Sequence, residues 1–309
     1  MKTHPIAKIN LGLSIISKRP DGYHNLETVF YPVRLCDTLE VKPQEERCVE
    51  GETQACHAAD PPRCQLLLSG ASVEGDPQKN LVVRAYDLLA EEFRLPPVTA
   101  SLHKRIPVQA GMGGGSSDAT AMLVTLNEMF RLGLTQQQLI ERATRLGADC
   151  PFFVIGKPTY AEGIGERLMP AEVNLKGWLL AIVKPPIAIS TKEAFSHVAP
   201  STPMTNCRQV VKYAPVENWP GLLVNDFEYS VFPLYPQLER LRDLLYQHGA
   251  AYAAMSGSGS ALFGLFREKT DRAPETSGAS ATFSQEQLRE KLHSAIPTDC
   301  QLFIVSAES

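Results

Sequence analysis

No apolar run in this chain approaches the roughly 20 residues that a membrane-spanning helix needs, so no membrane partner is expected. Neither sign of charge dominates. A formal net charge of −4 leaves no general basic field to hold nucleic acid or an anionic membrane. No cysteines stand in a close CxxC pair, the usual mark of a structural zinc site. The seven cysteines are odd in number and scattered, a usage that fits reduced thiols in the cytoplasm. Cys48, Cys56 and Cys64 are evenly spaced and His57 adjoins Cys56, but the enclosing PQEERCVEGETQACHAADPPR reads as a polar, proline-punctuated insertion. No metal ligands are assigned. No small-residue cleavage site follows an apolar run in MKTHPIAKINLGLSII, which reads as a first strand rather than a signal peptide. Short-period repeats and heptads are also missing.

What is present is an ordinary composition, 44% hydrophobic and 21% charged over 309 residues, enough for one large or two medium domains. Residues 6–16, ETVFYPV, DTLEVK and CQLLLSG read as strands. NLVVRAYDLLAEEF places Val82, Ala85 and Leu89 on one helical face. A short strand signal, SLHKRIPV, precedes a glycine stretch that opens onto a helix, DATAMLVTLNEMFRLG, expected to stop at Gly133. TQQQLIERATRLG begins on a capping-box pair, Thr135 and Gln138. ADCPFFVIGKPTYAEGIGERL is expected as a short strand, a turn and a hairpin. The pattern restarts at WLLAIVKPP. There follow a helix from about Thr191, a loop, a helix through PQLERLRDLLYQHG, strands in AAYAAMSGSGSALFGLF, a polar insertion, a capped helix SQEQLREKLHSAI and a strand QLFIVSA. The order suggests two α+β layers with a boundary between Gly156 and Trp178.

The chemistry concentrates in IPVQAGMGGGSSDATAML, residues 106–123. Glycines bury no side chain and lose the most backbone freedom on folding, so four of them ahead of a helix call for a reason. A helix N-terminus offers unpaired N–H groups and the positive end of a dipole. Glycines just before it let the backbone fold around phosphate oxygens. Ser116 and Ser117 add hydroxyls that can also reach a phosphate-bound metal. The pattern is not a Walker A loop, because no Gly-Lys-Ser/Thr follows, and it lacks the third glycine of GxGxxG. Lys8 lies in an otherwise apolar strand, where an ammonium needs a partner. Asp149 is expected to supply it; an outward-facing edge lysine is the alternative.

PVQAGMGGGSSDA resembles the second motif of the GHMP kinases, and AKINLGLSI and AAMSGSGSALFGLF match two further motifs in order and separation. The resemblance covers nearly the whole chain and is weakest over the insertions at about 44–64 and 268–284. It implies an α+β, two-domain GHMP kinase fold. Residues 1–166 would form a ribosomal S5 domain 2-like, ATP-binding N-terminal domain, and 167–309 a ferredoxin-like, substrate-binding C-terminal domain; whether the last strand returns to pair with the first domain stays open. AKINLGLSIISKRPDGYHNLETVF and LGADCPFFVIGKPTYAEGIGE resemble one branch in particular. That branch implies ATP-dependent phosphorylation of the 2-hydroxyl of 4-diphosphocytidyl-2-C-methyl-D-erythritol, giving the 2-phosphate and ADP, in non-mevalonate isoprenoid precursor synthesis. Magnesium would travel with the ATP phosphates. The partners implied are small molecules, in a monomer or homodimer.

The resemblance assigns Asp149 the role of base toward the acceptor hydroxyl; a surface aspartate at a helix end is the bland alternative. It places Pro107, Gly111, Met112, Gly113, Gly114, Gly115, Ser116 and Ser117 around the phosphates, and Asn80, Leu81 and Lys104 near the adenine. Lys104 reads equally as a solvated strand-end charge. Tyr23 and His24 would read the cytosine, with Phe195 as a second stacking surface, although lone aromatics also serve as core. Asn10 and Thr191 would contact substrate. Gly257 and Gly259 would let the chain pass close to the phosphates or the glycine loop, or would make a tight hairpin. Two other readings stay open: a homoserine- or phosphomevalonate-type kinase, which should lack the Tyr23–His24 segment, and a catalytically dead nucleotide sensor.

Overall fold

The computed structural model describes residues 1–44, 63–72, 75–200, 202–269 and 281–308. Cys48, Cys56 and His57, with most of both insertions, lie outside them. In chain order the elements are β1 (Lys2–Thr3), β2 (Ile6–Lys18), β3 (His24–Cys36), β4 (Thr38–Pro43), β5 (Cys64–Gly70), α1 (Leu81–Phe93), β6 (Val98–Lys104), α2 (Gly114–Met129), α3 (Gln136–Leu146) and α4 (Cys150–Ile155). Then come β7 (Thr159–Gly163), β8 (Arg167–Pro170), β9 (Trp178–Lys184), α5 (Thr191–His197), α6 (Cys207–Tyr213) and α7 (Asp226–Val231). The remainder is α8 (Pro236–Gln247), β10 (Tyr252–Met255), β11 (Leu262–Glu268), β12 (Thr282–Phe283), α9 (Gln285–His293) and β13 (Gln301–Ser306).

These elements gather into two compact units, each made of separated stretches. The first comprises Met1–Pro5, Asp37–Arg105 and Gly115–Val154; the second comprises Ile6–Cys36, Ile106–Gly114 and Ile155–Ser309. A single cut at residue 166 does not reproduce them, because β3 pairs with β7 and so draws residues 6–36 into the second unit.

In the first unit the sheet order is β1-β4-β6-β5, with β5 parallel to β6. Its core joins Leu39 and Val41 of β4, Val98, Ala100 and Leu102 of β6, and the buried faces of α1, α2 and α3. Helix α1 buries Val82, Ala85 and Leu89, as their spacing predicts, and Asn80 caps it by accepting from the Val82 N–H. The Thr135–Gln138 capping box opens α3, and Gly147 follows its last residue. Helix α2 begins four residues earlier than Asp118, inside the glycine stretch.

The second unit holds two sheets, β2-β3-β7-β8 and β10-β11-β9-β13, the latter extended by β12 on β11. Strand β9 is buried along its whole length. Trp178, Leu180 and Ile182 enter one core with Ile9, Leu11 and Tyr31. Leu179, Ala181 and Val183 enter another with residues of α7, α8 and α9. That is the period-2 alternation of a strand covered on both faces. Strand β13 pairs antiparallel with β9.

Two local expectations are corrected. CPFFVI is a short helix, α4, not a strand. A six-residue apolar run cannot be told apart by periodicity alone, and Pro151 sits in the first turn, where its missing N–H costs no hydrogen bond. The loop expected after α5 contains α6 and α7, each opened by an asparagine cap, Asn206 and Asn225.

Candidate active site

In the second unit, Lys8 is 3% exposed. Its ammonium donates to Asn10 Oδ1 at 2.7 Å and to the Gly111 carbonyl at 2.8 Å. Asn10 Nδ2 donates to Thr28 Oγ1 at 2.9 Å, and that hydroxyl donates to the Gly12 carbonyl at 2.5 Å. This relay fixes the asparagine oxygen toward the lysine. The Lys8 N–H also donates to the Met112 carbonyl at 3.0 Å, so the glycine loop lies along β2. Gly111 has φ of 70°, and a Cβ there would overlap the Ser256 carbonyl oxygen. Ser256 Oγ donates to the Gly111 carbonyl at 3.0 Å. A Cβ on Gly257 would stand 2.9 Å from the Gly111 oxygen and 3.2 Å from Lys8 Nζ. Lys8, Asn10, Gly111, Met112 and Gly257 thus form one cluster, with Pro107 buried at the start of the loop.

The residues expected to read a cytosine lie in the same unit. Tyr23 ends a turn in which its N–H donates to Asp21 Oδ1 at 3.1 Å, and its side chain is 59% exposed. The His24 ring stacks on Phe195, centroids 4.8 Å apart at 21°. Burial, and secondarily the charge on Lys18, hold the imidazole below its ordinary pKa. Near neutral pH it therefore offers one donor and one acceptor nitrogen. Thr191 Oγ1 lies 3.5 Å from Ser258 Oγ, next to Gly257 and Gly259.

In the first unit, Gly115, Ser116 and Ser117 form the opening turn of α2. Ser117 is buried. Asp149 sits between Gly147 and Cys150, where the Cys150 N–H donates to the Gly147 carbonyl at 3.2 Å. Leu81 lies beside Gly115: a Cβ on that glycine would be 3.9 Å from Leu81 Cδ1. The Asn80 side chain is used to cap α1.

Lys104 is not a solvated strand-end charge. It is 5% exposed and binds two buried carboxylates, Asp37 and, at 2.6 Å, Asp118. Asp37 Oδ1 also accepts from the Arg105 N–H at 2.5 Å. Burial pushes the Asp118 carboxyl above its usual range, Lys104 opposes this and Asp37 adds to it. The triad ties the residue before β4, the end of β6 and the second turn of α2 together. Sequence reasoning missed Asp37 and Asp118; the available signal was an acid beside Ser117 at the head of an otherwise apolar helix.

A glycine loop packed on a buried lysine and running into a serine-bearing helix start suits a phosphate-transfer enzyme. Known proteins agree. Residues 80–157 match the family model described as GHMP kinases N terminal domain, and residues 217–285 match GHMP kinases C terminal. The 4-diphosphocytidyl-2-C-methyl-D-erythritol kinase of Bacteroides fragilis is 50% identical over 266 residues, 86% of this chain and 92% of its own. That of Bacteroides thetaiotaomicron is 48% identical over 283 residues, 92% of this chain and 98% of its own. A crystal structure of 4-(cytidine 5'-diphospho)-2C-methyl-D-erythritol kinase superposes with a TM-score of 0.72 at 29% identity, covering 99% of each chain. The α+β arrangement expected from the sequence is thereby the two-part GHMP kinase fold, and the chain belongs to the 4-diphosphocytidyl-2-C-methyl-D-erythritol kinase family of the GHMP kinases.

Proposed function

We propose that this chain transfers the γ-phosphoryl group of ATP to the 2-hydroxyl of 4-diphosphocytidyl-2-C-methyl-D-erythritol. The products are the 2-phosphate and ADP, in non-mevalonate isoprenoid precursor synthesis. One observation carries the reading: half of 266 aligned residues are identical to a kinase named for that alcohol.

The geometry supports a mechanism built from the chain's own groups. Phosphoryl transfer needs little covalent chemistry from a protein; positioning and electrostatics dominate. Peptide N–H groups of residues 111–117 would cradle the phosphates at the start of α2. Asn80 and Leu81 would stand toward the adenine, while Lys104, held between Asp37 and Asp118, would act only through the segments it anchors. The acceptor oxygen attacks the γ-phosphorus, the bond to the bridging oxygen breaks, and ADP leaves. The hydroxyl proton passes to the Asp149 carboxylate. Lys8, held by Asn10 and Gly111, would pair with Asp149, lower the hydroxyl's pKa and offset the developing charge. Tyr23 and Phe195 would stack on the cytosine while His24 reads its edge, with Asn10 and Thr191 on the rest of the substrate.

Among the described residues no three His, Cys, Asp or Glu side chains group to hold a metal ion. At the head of α2 the Asp118 carboxylate is held by Lys104, and the Ser116 and Ser117 hydroxyls would fit beside magnesium carried on ATP oxygens. Such an ion would neutralise phosphate charge. No helix of the described residues is long and apolar enough to cross a membrane. The scattered, odd number of cysteines suits a cytoplasmic enzyme, acting as a monomer or homodimer.

ADP release should be fast with the cytidyl alcohol and slow with homoserine or mevalonate 5-phosphate. Equal rates on all three would overturn the substrate assignment.

A further inference from the structure

We propose that the opening of α7, residues Asn225–Glu228, is the positioning element of the acceptor side. In this role Asn225 holds the turn at Gly257 against Lys8 and the glycine loop, and Phe227 holds Phe195 against His24. The proposal rests on the kinase reading above and assigns a role to residues outside that mechanism.

Asn225 is 2% exposed and does more than a helix cap requires. Its Oδ1 accepts from the Phe227 N–H at 3.1 Å, the ordinary capping bond. Its Nδ2 donates to two carbonyls, Met255 and Gly257, each at 2.8 Å. Serine, threonine or aspartate would cap the helix equally well, but none carries an NH₂ able to serve both carbonyls. One residue on, Asp226 Oδ2 accepts from the Ile15 N–H at 2.7 Å, and the Leu13 N–H donates to the Val224 carbonyl at 2.9 Å. Glu228 Oε1 accepts from the Met255 N–H at 2.7 Å. A single turn of chain therefore grips both the strand that carries Lys8 and Asn10 and the turn that carries Ser256 and Gly257.

The same turn reaches the aromatic side. Phe227 is 2% exposed and meets Phe195 edge-on, centroids 4.9 Å apart at 86°. Phe195 in turn stacks on His24. Asn225 thus sits one step from the lysine end of the acceptor side, and Phe227 one step from the aromatic end. The two should fail differently.

Steady-state kinetics on the intact chain test this, with the buried core variant Val216→Ala as a stability control. Asn225→Ser keeps a capping oxygen and removes both donors. We expect kcat to fall about tenfold or more, with KM for the cytidyl alcohol changed less than about threefold. Phe227→Leu should do the reverse, raising that KM about tenfold with kcat changed less than about threefold. If Asn225→Ser does not fold, Asn225→Asp keeps shape and cap, and the same fall in kcat is expected. Wild-type turnover with variants that shift only the melting temperature, the pattern expected of Val216→Ala, overturns the positioning role alone. Absence of wild-type turnover overturns the kinase reading and this proposal with it.

Discussion

At the scale of single residues, burial decides what each charged group can do. Lys8 and Lys104 are both strand lysines and both buried, yet their surroundings differ. Within its unit Lys8 donates to the Asn10 amide oxygen and the Gly111 carbonyl, which fix its ammonium beside the glycine loop. Lys104 is locked between two carboxylates and can act only through what it anchors. Lys8→Ala and Asp149→Asn should each lower kcat by roughly 10²-fold or more, the usual yield of a positioned proton acceptor and its partner. The double variant should lose little beyond either single, because groups acting as a unit are non-additive. Full additivity in kcat would separate them. Gly111→Ala forces a side chain into the Ser256 carbonyl at a left-handed φ, a conformation costing about 1–2 kcal/mol by itself. An ATP titration should show catalytic efficiency falling at least about tenfold, and wild-type values would mean the loop has room to spare. Lys8 and the loop glycines stood out because their types are improbable in their local pattern, and Asn10 through the resemblance of AKINLGLSI to a GHMP kinase motif. Asp37, Asp118 and Asn225 were not. Their partners lie 67, 14 and about 30 residues away, and a sequence pattern carries no record of such distances.

At the scale of elements, local signals read well where they were complete. Both capping boxes, Thr135–Gln138 and Ser284–Gln287, form as their spacing implies. Strand β5 runs over CQLLLSG and β9 begins at Trp178. Legibility failed for the short helices α4, α6 and α7, which have too few turns to show a 3.6-residue period and are stabilised mainly by what they pack against. Removing a cap tests the local account away from the candidate site. Thr135→Ala should cost about 1 kcal/mol in a denaturant melt while leaving kcat and both KM values unchanged. An unaltered melt would mean that packing alone holds α3. Altered kinetics would mean that this helix end matters to the reaction.

At the scale of the whole molecule, stability should depend on pH through buried acids. Burial pushes Glu228 from 4.5 up to about 7, although the Met255 N–H and Arg242 both favour its charged form. A raised carboxyl pKa contributes stability that is complete below the unfolded value and disappears as pH rises through about 7. The wild type should therefore gain melting temperature between pH 8 and pH 5.5 relative to Glu228→Gln, which is neutral throughout. Equal slopes for the two proteins would remove Glu228 from the account. The interleaving of the two units was not legible in the sequence, because it arises from strand pairing between distant stretches, β3 with β7 above all.

Strand β9 is walled on both faces and paired on both edges, by β11 and by β13. During synthesis one of those edges has no neighbour until Gln301–Ser306 leaves the ribosome, on the order of ten seconds after Lys184 at ordinary elongation rates. Through that interval a run of seven apolar-rich residues presents an unfilled ladder to the crowded cell, the kind of template on which chains aggregate. Yield of this protein in a host should accordingly be more sensitive to chaperone supply than the equilibrium stability of the finished molecule would suggest.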